Sequence, residues 1–192
     1  MSHRLGFWLA HLCILGVMAA LVGGFVVQFA WQELPCPLCM LQRMGMILAA
    51  FGPAFILLRC RHGDVSPTDF ATGYGMSIIA AMFGASVSTR HILLHIASPD
   101  PVPGLAVLGM HLYTWALIVF CTAIAASGLN LLFTRELAPR QTQFGWPTRL
   151  VLGSLAAVIV TNLVCVFFLE GFHWLLPGDP DRYQLLSDLA RQ

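Results

Sequence analysis

Five long apolar stretches decide what this chain can become. A bilayer core accepts a helix of about 20 mostly apolar residues. It rejects an isolated strand, whose backbone groups would go unpaired. Residues 7–30, 40–58, 73–95, 107–133 and 150–169 read as such spans. Only 10% of the residues are charged and 58% are hydrophobic, against about 25% charged in a soluble domain. The expectation is an all-α integral membrane protein, one domain over residues 1–192, with five spans and a tail at 171–192. His3 and Arg4 ahead of the first run give it the look of a signal peptide, but the run is too long and lacks a small-residue cleavage site, so it reads as a retained span. A net charge of +1 gives no reason to expect nucleic-acid binding.

All ten basic residues are arginine, and their placement predicts the orientation. With the N-terminus inside, Arg4, Arg59, Arg61, Arg135, Arg140 and Arg149 fall on the inner side, and Arg43, Arg90, Arg182 and Arg191 on the outer. The loop after the first span and the C-terminal tail are then outside. In a bacterium that side is the oxidising periplasm.

The chemistry gathers in Glu33-Leu34-Pro35-Cys36-Pro37-Leu38-Cys39-Met40-Leu41-Gln42-Arg43, between the first two spans. Two cysteines separated by two residues exchange disulfides, one thiolate attacking and its neighbour resolving the mixed disulfide. Pro37 suits the first turn of a helix, which makes Cys39 a candidate for that turn. A helix N-terminus favours a thiolate there. Arg43 follows Cys39 by four residues and shares its helical face. Cys13, Cys60, Cys121 and Cys165 are dispersed and read as packing residues.

A structural zinc site needs four ligands, and no second CxxC follows, so no metal is assigned. Haem attachment needs a histidine where Met40 stands. Soft sulfur ligands suit Cu(I), which leaves copper handling through Cys36, Cys39, Met40, Met44 and Met46 as an alternative. Residues 98–104, Ser-Pro-Asp-Pro-Val-Pro-Gly, carry no helix or strand signal. Residues 183–190 read as a short amphipathic helix.

The order of these features resembles the DsbB family of quinone-linked membrane thiol oxidases. The resemblance rests on Pro35-Cys36-Pro37-Leu38-Cys39 with Gln42-Arg43, on Thr89-Arg90-His91 ending the third span, and on Leu108-Gly109 to Trp115 leading into the fourth. It covers roughly residues 5–135 and implies a DsbB-like four-helix transmembrane bundle, here with an additional fifth helix. It also implies that Cys36 and Cys39 are the redox pair and that Arg43, with His91 and Gln42, binds a quinone, ubiquinone or menaquinone. The implied partner is a periplasmic thioredoxin-like protein of the DsbA type. The implied location is the bacterial inner membrane.

This chain departs from the family pattern in two ways. Family members carry a second cysteine pair in the outer loop between spans 3 and 4, whereas residues 98–106 hold no cysteine. The fifth span and acidic tail are also additional. The reading is a membrane thiol:quinone oxidoreductase, and its other alternative is an assembly subunit that kept the fold without full turnover.

Overall fold

The computed structural model describes residues 2–96, 106–107, 109–139, 145–173, 180 and 182–190. Seven helices are present among them: α1 (Ser2–Ala30), α2 (Pro37–Cys60), α3 (Pro67–Ile96), α4 (Leu112–Leu132), α5 (Thr134–Leu137), α6 (Trp146–Glu170) and α7 (Gln184–Leu189). Helices α1, α2, α3, α4 and α6 are long and apolar enough to cross a membrane. This is the all-α, five-span architecture expected from the apolar runs.

Helix α2 is the centre of the bundle. Of its most apolar window 61% is buried, against 17–33% in the other four. Those four turn apolar side chains such as Ile79, Leu132 and Val160 outward, as a lipid-facing surface requires. Small residues let α2 and α3 approach closely. A Cβ on Gly52 would run into the Gly73 carbonyl, and one on Gly45 would sit 3.1 Å from Gly84 Cα. Ser77 Oγ donates to Ala49 O at 2.8 Å across the same seam. Glycine and alanine stripes of this kind maximise packing where lipid supplies no hydrophobic drive between helices. On the other side, buried His11 of α1 bonds Thr148 Oγ1 of α6 at 3.1 Å.

Three boundaries differ from the sequence expectation. Helix α2 begins at Pro37, because Cys36 caps it and proline is tolerated at N1. Helix α3 begins at Pro67, six residues before residue 73. Ser66 Oγ accepts from Asp69 N at 3.0 Å, so Ser66-Pro67-Thr68-Asp69 forms the cap and acidic first turn that start a helix. Helix α3 also runs unbroken through Ser88-Thr89-Arg90-His91 to Ile96, since Thr89 Oγ1 bonds back to Ala85 O at 2.9 Å.

The proline-rich stretch 98–104 lies outside the described residues. After it, Ala106–Val107 pairs antiparallel with Met110–His111. Gly109 takes φ +79 in the turn, where glycine has no steric penalty. Trp115 Nε1 donates to Val107 O at 3.0 Å and ties this hairpin to α4. In the tail, Trp174, Asp179 and Asp181 lie outside the described residues. Helix α7 occupies 184–189, inside the amphipathic stretch expected there.

Candidate functional site

The cysteine pair sits at the N-terminus of α2. Cys36 is the N-cap, with extended backbone at φ −68 and ψ 165, and its sulfur accepts from Cys39 N at 3.3 Å. Pro37 fixes the first helical φ and gives up an N–H that had no helical partner. This geometry folds the second cysteine back over the first. The Cys36 and Cys39 sulfurs are 3.0 Å apart.

The last turns of α3 supply the facing wall. His91 Nε2 lies 3.8 Å from Cys36 Sγ, and His91 Nδ1 lies 3.4 Å from Gln42 Nε2. Both Gln42 and His91 are 4% exposed. An amide nitrogen only donates. With Gln42 donating to Nδ1, the imidazole proton therefore sits on Nε2 and points at the Cys36 sulfur.

The Cys36 thiol is held down at about 4. The largest cause is the Cys39 thiol, which donates to the Cys36 sulfur; burial opposes it, and the His91 contact and the Cys39 N–H add to the lowering. The α2 N-terminus contributes positive partial charge of about half an elementary unit. Cys36 is thus the thiolate of the pair and Cys39 the proton donor.

Arg43 faces elsewhere. Nη1 donates to Gln28 Oε1 at 2.7 Å, Nη2 donates to Gly24 O at 2.9 Å, and the guanidinium lies 5.1 Å from the Phe25 ring centroid. All three partners are on α1. Arg43 remains within electrostatic reach of Cys39. The predicted residues therefore form two groups: Cys36, Cys39, Gln42 and His91 converge, and Arg43 stands behind them against α1.

Several neighbours escaped the sequence reading. His91, His95 and His111 gather around Tyr113, with ring centroids at 4.7, 5.0 and 5.2 Å from its ring. His95 Nδ1 bonds His91 O at 2.8 Å. The signal is His91-x3-His95, a pair spaced for one helix face. Gln28 was also missed. It is 2% exposed and donates from Nε2 to Tyr183 Oη at 3.2 Å. No local motif marks a glutamine near the end of an apolar run as a bridge to a tail.

A family profile described as "Disulfide bond formation protein DsbB" matches residues 6–104. Among curated proteins, the chain is 36% identical over 94 residues to "Disulfide bond formation protein B" of Chromohalobacter salexigens, covering 47% of this chain and 53% of the relative. It is 34% identical over 104 residues to the Chromobacterium violaceum protein of that name, covering 53% and 57%. To "Disulfide bond formation protein B 1" of Pseudomonas fluorescens it is 39% identical over 93 residues, covering 46% and 51%. The chain thus spans about half the length of the curated relatives it matches. No solved structure gives a significant match. The profile ends before α4, so the resemblance seen in Leu108-Gly109 to Trp115, along with α6 and α7, lies beyond it. Over α1 to α3, with the cysteine pair and His91 inside the matched region, this bacterial multi-pass membrane protein belongs to the DsbB family.

Proposed function

We propose that this protein is a thiol:quinone oxidoreductase of the bacterial inner membrane, with the CxxC end of the bundle and the C-terminus in the periplasm. The observation that carries the reading is the low Cys36 thiol, 3.0 Å from Cys39 and 3.8 Å from His91, at one end of an apolar bundle. Arginine bias supports the orientation. The proposed site residues are Cys36 and Cys39 for the exchange and Arg43, His91 and Gln42 for the quinone.

The exchange runs in two steps. A thiolate of a DsbA-type thioredoxin-like partner attacks the Cys36 sulfur of the Cys36–Cys39 disulfide, and Cys39 leaves with the electron pair. The partner's second thiol then attacks the mixed disulfide, so the partner is oxidised and the pair is left as a dithiol. His91 Nε2–H donates to the Cys36 sulfur and stabilises negative charge on it as it leaves. Closing the disulfide again releases two electrons and two protons.

The residues present fit a quinone. Arg43 carries N–H groups beyond the two that hold Gln28 Oε1 and Gly24 O, and a guanidinium N–H suits a carbonyl oxygen. Gln42 and His91 offer further buried N–H groups beside the sulfurs. Phe29, Val164, Cys165, Phe168, Tyr183 and Leu186 line an apolar groove of about 330 Å³, a wall suited to an isoprenoid chain. When bound, a quinone supplies the acceptor for two electrons and two protons.

The test is quinone reduction by a reduced thioredoxin-like partner in vesicles holding the full chain. Turnover lost in Cys36→Ala and in Cys39→Ala supports the reading. A Cys36/Cys39 pair that stays permanently oxidised, with no quinone reduced, sinks it. That result favours the assembly-subunit alternative, whose support is the lack of cysteine in residues 98–106.

A further inference from the structure

The dithiol and the imidazole form a second kind of site. Cys36 Sγ, Cys39 Sγ and the His91 ring nitrogen all lie within 4.8 Å of one another. We infer that the reduced pair and His91 bind a thiophilic divalent cation such as Zn²⁺, and that its binding withdraws the dithiol from exchange.

The donor set fits. Two thiolates and one imidazole make the three-ligand arrangement that leaves a fourth tetrahedral position open. Zn–S bonds of about 2.3 Å and Zn–N bonds of about 2.0 Å place tetrahedral ligand atoms roughly 3.5–3.8 Å apart. The Cys36–His91 separation of 3.8 Å is already in that range. The sulfurs, at 3.0 Å, need to spread by less than 1 Å, which rotation of the Cys36 side chain at the helix cap can provide. The ligands come from the ends of two helices locked together along the α2–α3 glycine seam, so side-chain adjustments alone, with no helix movement, bring the three atoms into ligating range.

Gln42 supplies the outer support. To ligate through Nε2, His91 must carry its proton on Nδ1. A half-turn of the Gln42 amide replaces the donor at Nδ1 with Oε1, which accepts from Nδ1–H. A hydrogen bond to the non-ligating ring nitrogen is the usual device for orienting a metal-bound histidine. One buried amide therefore serves both tautomers: proton toward sulfur for exchange, lone pair toward a cation for binding.

Two Zn–S bonds and one Zn–N bond form as water ligands leave the cation, the His91 proton moves from Nε2 to Nδ1, the remaining thiol proton passes to water, and no electron moves. Two thiolates neutralise the dication, which suits a site at the edge of an apolar bundle. A disulfide has no thiolates to offer, so the site exists only in the reduced state. Bound cation blocks both sulfurs, and removing it restores them. None of this depends on quinone.

The experiment uses the full chain in detergent, reduced, freed of reductant under anaerobic conditions, and titrated with Co²⁺ as the spectroscopic probe. We expect one Co²⁺ per chain, with sulfur-to-metal charge-transfer bands and tetrahedral d–d bands, displaced by Zn²⁺. Oxidised protein and the Cys36→Ser/Cys39→Ser variant give neither. Gln42→Ala weakens binding by about tenfold to a hundredfold, and His91→Ala weakens it more. His91→Cys, which replaces the ligand rather than removing it, retains binding with a stronger charge-transfer band. With Zn²⁺ present, closure of the pair by a small-molecule thiol oxidant slows and a chelator restores it. Equal Co²⁺ binding in oxidised and reduced protein, or unchanged affinity in a folded His91→Ala variant, overturns the site. Failure of quinone reduction leaves all of these readouts in place.

Discussion

Arg43 Nη1 donates a 2.7 Å hydrogen bond to Gln28 Oε1, and the same amide donates from Nε2 to Tyr183 Oη. One buried glutamine thus joins an arginine inside the family-matched region to a tail that lies outside it. The added C-terminal segment is wired to the site through two side-chain bonds.

That wiring predicts the effect of Tyr183→Phe. The change keeps the ring in the groove and removes the hydroxyl. It should cost about 0.5–1.5 kcal/mol of stability, the net value of one hydrogen bond, while Gln28→Leu should cost about 1–3 kcal/mol by removing the acceptor of Arg43 Nη1 in a buried place and leaving only the Gly24 carbonyl. Thermal unfolding in detergent orders the two. Equal unfolding temperatures for both variants and the wild type would show that the tail is merely adjacent.

Arg43→Lys separates positioning from charge. The ammonium keeps the charge but cannot span Gln28 Oε1 and Gly24 O as the fork does. We expect the apparent quinone KM to rise about tenfold, the equivalent of one lost hydrogen bond, with kcat changed less. Wild-type kinetics in Arg43→Ala would reduce Arg43 to a clamp on α1.

Alkylation of Cys36 tests the thiolate. Its value of about 4 lies below that of an ordinary thiol, so the rate should stay flat down to about pH 5 and fall below that, whereas an ordinary thiol slows below about pH 8.5. Cys39→Ala removes the largest cause and should move the midpoint upward more than His91→Ala does. The sign for stability follows the same shift. A lowered acid stabilises the reduced fold fully above the unfolded value and loses that contribution as pH falls toward 4. Reduced protein should therefore lose stability between about pH 8 and pH 4 relative to oxidised protein. Parallel pH profiles for the two redox states count against a low thiol.

With no cysteine in residues 98–106, the proposed exchange needs direct contact with the partner, or a second cysteine pair borrowed from another protein. Cys36 stands outside the helix in extended backbone and is only partly buried. In Cys39→Ala, a mixed disulfide between Cys36 and a periplasmic thioredoxin-like protein should accumulate on non-reducing gels. The adduct should survive replacement of Cys13, Cys60, Cys121 or Cys165, of which Cys60 is the most costly to change because it is 1% exposed in the core. No adduct with any periplasmic thiol protein would end the oxidase reading.

Bilayer-length apolar runs were legible because their length is a one-dimensional property, and a single continuous segment pairs its own backbone in lipid only as a helix. The Cys36-Pro37-Leu38-Cys39 element was legible for the same reason: its ring, its cap and its proline are set within four residues. The helix start at Ser66-Pro67 is equally local, but it lies ahead of the apolar run that marks the span. Sequence spacing placed Arg43 on the face of Cys39, and that holds along the helix axis, but it says nothing about where a long side chain ends. Tertiary structure sent the guanidinium to α1, because buried Gln28 and the Gly24 carbonyl offer acceptors there. It also brought His91 to Cys36 from 55 residues away and gathered three histidines around Tyr113. The meeting of His91 with Cys36 depends on how closely α2 and α3 approach at Gly45, Gly52, Gly73 and Gly84. Such an approach is a relation between two helices, and neither helix carries it alone.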